Sequence, residues 1–243
     1  MKIGHRVEGI FAMAAALEQS GRLRSTIYAI GRDVIIRNMD NTVLMHFPLR
    51  PEEPAFEHPV SFRASDYEGS GMDEKDGSVS FHTEQDGWTK VKTCSVPGES
   101  AQEMLDLFKS FKAPGPNKVA IDKGVLGLID ESLSHLELRG SGSDFYMVQR
   151  NIYSGALIEI RRQTTEGFDL AVEDSITEDF GPIGIRTPDF LAMFTLHDRL
   201  MFRFNGGDED YCACSGNNQM YPMRVIIACC KYDELGTVGV VKK

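Results

Sequence analysis

The second half of this chain repeats the grammar of the first, and that repeat constrains the fold more than any single motif. In the first half, Val7, Ile10, Phe11, Ala14 and Leu17 fall at the spacing of a helix with one apolar face, which Gly21 stops. Short β-branched or aromatic runs follow at 26–30, 33–37 and 42–47. They are divided by Gly31-Arg32 and Met39-Asp40-Asn41, as expected of antiparallel strands joined by tight turns. Runs at 60–63, 78–82 and 88–93 continue the series, while 66–77 is too glycine-rich and acidic for a helix. After Pro97-Gly98, Ser100-Ala101-Gln102-Glu103 reads as a capping box opening a helix with Met104, Leu107, Phe108 and Phe111 on one face.

Ala113-Pro114-Gly115-Pro116 breaks the chain again, and the series restarts. A strand at 118–121 leads to Asp122 as a helix cap and to a helix carrying Val125, Leu128, Ile129, Leu133 and Leu136 on its face. Strands are expected at 136–139, 144–149, 156–161, 169–172 and 183–185. Thr187-Pro188-Asp189 then supplies an N-cap and a first-turn proline for a short helix through Phe194. Strands at 199–204, 210–214 and 223–230 complete the pattern. A one-faced helix beside half-buried strands needs a sheet to cover, so each unit is a set of antiparallel sheets with helices on one face, an α+β fold. The length of 243 residues suits two such pseudo-repeated domains, here 1–97 and 118–243 with 98–117 between them.

Charge and motifs exclude several functions. The formal net charge of −10 repels nucleic acid as a whole, so any DNA contact must be local, weak or topological. No phosphate-binding GxxxxGK[ST], dinucleotide GxGxxG or nucleophile-elbow GxSxG occurs, and Gly140-Ser141-Gly142-Ser143 reads as a turn; the chain is not expected to be an enzyme. Cys212 and Cys214 would point to one sheet face, yet CxxC spacing and a nearby His are missing, so neither metal nor cofactor is expected. Asp208-Glu209-Asp210 after Gly206-Gly207 reads as a solvated hairpin turn. The five cysteines make a poor disulfide framework. No apolar run approaches a membrane span, and the first residues lead into a polar-faced helix, so an intracellular location, cytoplasmic or nuclear (a host cell if viral), is expected.

Two segments carry a family resemblance. Arg37-Asn38-Met39-Asp40-Asn41-Thr42-Val43-Leu44-Met45 resembles the Met-Asp turn and following strand of sliding clamps of the proliferating-cell-nuclear-antigen type, one residue shorter at the turn. Val225-Ile226-Ile227-Ala228-Cys229-Cys230-Lys231-Tyr232-Asp233-Glu234 is similar to the last strand of such clamps. The resemblance implies the DNA clamp fold, with residues 66–77 standing where a second helix of the first domain belongs and a helix in a connector that is usually extended.

It further implies a processivity factor: a homo-oligomer of three chains closed head to tail, encircling duplex DNA and serving a DNA polymerase and a clamp loader. Lys2, Arg6, Arg22 and Arg24 in the first domain and Lys118, Lys123, Arg186 and Arg199 in the second would then face phosphates without reading sequence. Replication partners would dock short hydrophobic peptides near Met39, Val43, Met45, Leu105, Phe108, Ala228 and Cys229. Against this stands the bland reading, in which the bases belong to solvated faces and Val43 and Met45 to a core. From another class, an oligomeric viral or phage structural or assembly protein would share the β-rich repeats, and a metal-dependent hydrolase built on Cys212 and Cys214 stands further off.

Overall fold

The computed structural model describes residues 4–68, 71–75, 78–96, 100–111, 115–141, 144–151, 153–162, 176–204, 211–218 and 220–229. The chain begins α1 (His5–Gln19), β1 (Ser25–Gly31), β2 (Asp33–Asn38), β3 (Val43–Pro48) and β4 (Phe56–Arg63), then a 3-10 turn at Ala64–Asp66. It continues with β5 (Gly71–Lys75), β6 (Ser78–Gln85), β7 (Trp88–Cys94), α2 (Ala101–Ser110) and β8 (Asn117–Asp122), then a second 3-10 stretch at Lys123–Leu128. The remainder is β9 (His135–Ser141), β10 (Asp144–Arg150), β11 (Leu157–Arg162), β12 (Phe180–Arg186), α3 (Thr187–Met193), β13 (Arg199–Phe204), β14 (Tyr211–Asn217) and β15 (Pro222–Ala228). Two compact units result: Met1–Lys112 with Asn218–Val225, and Ala113–Asn217 with Ile226–Lys243.

In the first unit the sheet order β4-β1-β2-β3-β15 brings strands from both ends of the chain together. The β2–β3 turn is fixed by one side chain: buried Asn38 accepts the Thr42 and Val43 amides on Oδ1 at 2.8 and 2.9 Å, and Asn41 takes a left-handed φ of 58°. Register then decides the faces. Ile27 pairs with Ile36 and Phe62, and Ile36 with Met45, so these side chains share one side of the sheet. On that side Phe11 of α1 meets Phe62 edge-on at 5.1 Å, and Phe81 of the small β5-β6-β7 sheet meets Phe62 at the same distance. Gly9 of α1 is needed here, because a Cβ at that position would stand 2.3 Å from the Tyr221 hydroxyl.

Helix α2 takes the other side of the same sheet. Tyr28, Ile35 and His46 share that side by register, and α2 packs across β1, β2 and β4 with Arg37 donating to the Met104 sulfur and Phe108 against the His46 ring. The capping box at Ser100 is present as expected. Leu107, expected on the buried stripe, is 41% exposed, and Leu105 is buried in its place.

The second unit holds a four-stranded sheet, β11-β10-β9-β12, and the strands β14-β13-β8. Its core is aromatic: Phe204 stacks on Phe180 at 4.6 Å, Phe202 on Phe190 at 5.6 Å, and Phe190 meets Phe194 at 5.3 Å. The helix expected from Asp122 to Leu136 is instead the 3-10 stretch, which buries no residue, and β9 already starts at His135. Gly124 and Gly127 weaken a helix there, and the Asp122 carboxylate faces Arg199 at 3.7 Å rather than capping. Thr187 also differs from expectation: Arg186 is the N-cap and Thr187 lies buried inside the first turn of α3. Residues 66–77 form the end of a 3-10 turn and β5, without an α-helix among the described residues. The strand expected at 169–172 and the turn at 206–210 lie outside the described residues.

Candidate nucleic-acid and partner surfaces

Eight bases were candidates for phosphate contact, and their placements differ. Arg6 is only 6% exposed; it donates to Glu53 Oε2 at 3.0 Å and to the Pro48 carbonyl at 2.8 Å, pinning the start of α1 to the end of β3. A guanidinium held this way serves the local structure and presents little surface to a phosphate. Lys2 lies outside the described residues. Arg22 and Arg24 are exposed just after α1, while the exposed residues of α1 itself are His5, Ala12, Ala16 and Gln19, a surface of small side chains rather than of charge.

In the second unit Lys118 pairs with Arg203, and Arg199 with Asp122, so Lys118, Arg199 and Arg203 line one side of β8 and β13 while Phe202 and Phe204 fill the other. Arg203 was missed by sequence reasoning, although the alternation of Arg199-Leu200-Met201-Phe202-Arg203-Phe204 carries the signal. Carboxylates stand near three of the four second-unit candidates: Asp198 at 3.7 Å from Lys123, Asp122 at 3.7 Å from Arg199, and Asp189 at 3.9 Å from Arg186. Exposed pairs of this kind contribute little, so phosphate can compete for the Lys123 and Arg199 groups.

The candidate partner residues are also divided. Val43 and Met45 are buried on the α1 side of the sheet and belong to the core, whereas Leu105 and Phe108 of α2 lie on the opposite side. Met39 is exposed at the β2–β3 turn, its sulfur accepting from Arg63 at 3.1 Å. Ala228 is half-buried and Cys229 buried in the second unit. The side chains that do meet α2 are Arg37 and His46, neither of them a candidate, because strand alternation alone does not say which side a connector will cover.

Docking of α2 against the sheet is expected to depend on pH through His46, which lies against Phe108. Burial lowers its pKa below the usual 6.5, with Arg224 and Lys109 acting the same way and the 2.7 Å bond to Asp33 opposing them. The docked state therefore binds fewer protons than the undocked one, and docking weakens as pH falls from about 6.5 through the lowered pKa. Amide exchange in α2, corrected for intrinsic rates, is expected to be faster at pH 5.5 than at pH 7.5, and His46→Gln should remove the difference.

Cys212 and Cys214 are buried, and Cys214 Sγ lies 3.4 Å from Met193 Sδ of α3; burial pushes its thiol far up. Among the described residues no three His, Cys, Asp or Glu side chains are grouped to hold a metal. No described helix is long and apolar enough to cross a membrane.

No protein-family model matches the sequence, and no curated protein does. Solved structures do. The PCNA2-PCNA3 complex from Sulfolobus tokodaii is 11% identical with a TM-score of 0.58, the likeness covering 90% of this chain and 96% of that one. The β clamp of Helicobacter pylori is 11% identical with a TM-score of 0.63, over 95% of this chain. The DNA polymerase III subunit β of Pseudomonas aeruginosa is 12% identical with a TM-score of 0.59, over 86%. This chain spans 65% and 58% of those two bacterial subunits. With the likeness extending over 86% to 95% of its length, the chain has the fold of the sliding clamps.

Proposed function

We propose that this protein is a sliding clamp: a non-catalytic subunit that closes with copies of itself, in a ring of three, around duplex DNA and tethers a polymerase and other replication proteins. The observation that carries this reading is the clamp fold itself, matched over 86% to 95% of the chain in the structures compared. Charge supports it. A net charge of −10 with a few exposed bases suits retention by encirclement, since tight non-specific binding would need a dominant basic surface. The reading places the protein where DNA is replicated, and brings a clamp loader and short hydrophobic partner peptides with it. A particle protein has no comparable support.

Native mass and topology-dependent retention test it together. A mass of three chains with retention on nicked circular DNA and loss after linearisation is expected; a monomer that leaves circles and linear DNA alike would sink the reading. Removing Arg22, Arg24, Lys118 and Arg203 together should flatten the salt dependence of retention by about one log-log unit per lost phosphate contact while leaving the native mass unchanged. An unaltered slope would reject these bases as the phosphate-facing set.

A further inference from the structure

Helix α2 covers the side of the first unit's sheet that carries Tyr28, Ile35, Arg37 and His46, and two polar groups on that side are poorly matched by it. Arg37 directs a guanidinium N–H at the Met104 sulfur, 3.4 Å away. A thioether is a weak acceptor, where a carboxylate would form a charge-assisted bond. His46 shows the second mismatch. Its Nε2 stands 2.7 Å from the Asp33 carboxylate, which can only accept, so Nε2 carries the proton and Nδ1 is left as an acceptor. Nδ1 is buried and has no hydrogen-bond partner among the described residues, and an orphan of this kind weakens the covered arrangement.

The helix is also weakly held. It has ten residues, fewer than a helix needs to persist alone in water, and of these only Ala101, Met104 and Leu105 are buried. Pro97-Gly98 precedes it in the sequence and Ala113-Pro114-Gly115-Pro116 follows, so it cannot gain length at either end. We infer that α2 is a built-in competitor, occupying in cis a face that docks peptides. The partner that displaces it is a short amphipathic helix with a carboxylate for Arg37 and, four residues later, an aromatic ring for His46. That spacing is α2's own, from Met104 to Phe108, and it puts both groups on one helix face. The inference rests on the sliding-clamp reading for what the partners are, and goes beyond it by making their access conditional on α2.

Competition in cis has a quantitative signature. Partner affinity is reduced by the fraction of molecules in which α2 is undocked, so a change that loosens α2 and leaves the sheet face alone tightens partner binding by the same factor. A plain surface patch has no such coupling. Two positions of the helix allow it to be measured. Ser100 is exposed, and its side chain accepts the Gln102 amide in the capping box, so its removal weakens the helix without touching the sheet. Leu105 is buried, so its truncation loosens the packing from the helix side.

The test titrates the full chain with a fluorescein-labelled peptide of residues 100–111 carrying Met104→Glu, read by anisotropy, with amide exchange in α2 measured alongside. Relative to the parent, Ser100→Ala should bind the peptide about fivefold tighter and Leu105→Ala about thirtyfold tighter or more. In the parent the peptide should speed exchange in α2. The same peptide with Met104 retained should bind more weakly, and Arg37→Met should erase that difference. Should Leu105→Ala unfold the unit, Ser100→Ala, which leaves every buried side chain in place, still decides. Equal affinity for the parent and the loosened chains, no binding to either loosened chain, or binding that leaves α2 exchange unchanged overturns the inference. Native mass and retention on circular DNA are read on the parent. A retained ring without peptide competition removes this inference alone, whereas displacement of α2 in a chain that neither trimerises nor stays on circles keeps the competitor and removes the clamp reading.

Discussion

Phe202→Ala is expected to cost the second unit about 3–5 kcal/mol, enough to lower its urea midpoint by about 1 M or more. The side chain is fully buried, and its ring stands 5.6 Å from Phe190, 6.5 Å from Phe194 and 6.1 Å from Phe204. It therefore links the aromatic pair of α3 and the segment after it to the stack that runs through Phe204 to Phe180. Truncation removes the apolar transfer term and leaves a cavity whose walls are rings fixed by one another, so little collapse can offset the loss. Phe202→Leu, which keeps most of the volume, should lose well under half as much. Unfolding followed by tryptophan emission would miss this, because Trp88 belongs to the first unit; far-ultraviolet dichroism is the appropriate probe. A midpoint within about 0.2 M of the parent would refute the core assignment.

Glu53→Ala should be nearly as damaging, at about 3–5 kcal/mol, for a different reason. Arg6 and Glu53 are both largely withdrawn from water, and removing the carboxylate leaves a buried guanidinium with only the Pro48 carbonyl as a described partner. Glu53 also accepts the Arg50 amide at 2.7 Å, so the loop after β3 loosens too. Replacing both ends of the pair, as in Arg6→Met with Glu53→Leu, should recover much of the stability, since neither desolvated charge remains. Arg6→Met alone should change urea stability without changing DNA retention per folded molecule. Loss of retention at full stability would return Arg6 to the phosphate-facing set.

The contrast between these residues shows what the sequence could reveal. Strands were legible because period-two alternation and turn residues are local signals, and the Asn38 turn and Ser100 capping box are built from neighbours. The fate of Arg6 depends on a carboxylate 47 positions away, which no spacing rule detects. β3 is buried on both sides along nearly its whole length, so alternation could not say whether Met45 or His46 would meet α2. The amphipathic stripe of α2 announced a covered surface but not which surface. Lys118 and Arg199 stand out as isolated bases, whereas Arg203 joins them only through the pairing of β8 with β13, which residue-by-residue charge does not express.

β15 carries one further consequence. Its first residues complete a sheet begun by residues 25–48, with β15 beside β3. During synthesis the first unit must therefore wait, its β3 edge bare, until residue 225 has cleared the ribosome and the second unit has largely been made. A nascent chain is exposed to edge-to-edge association for that whole interval, and a nonsense truncation anywhere before β15 would leave the exposure permanent. The β3 edge of this early sheet is thus covered by a strand that arrives late in synthesis.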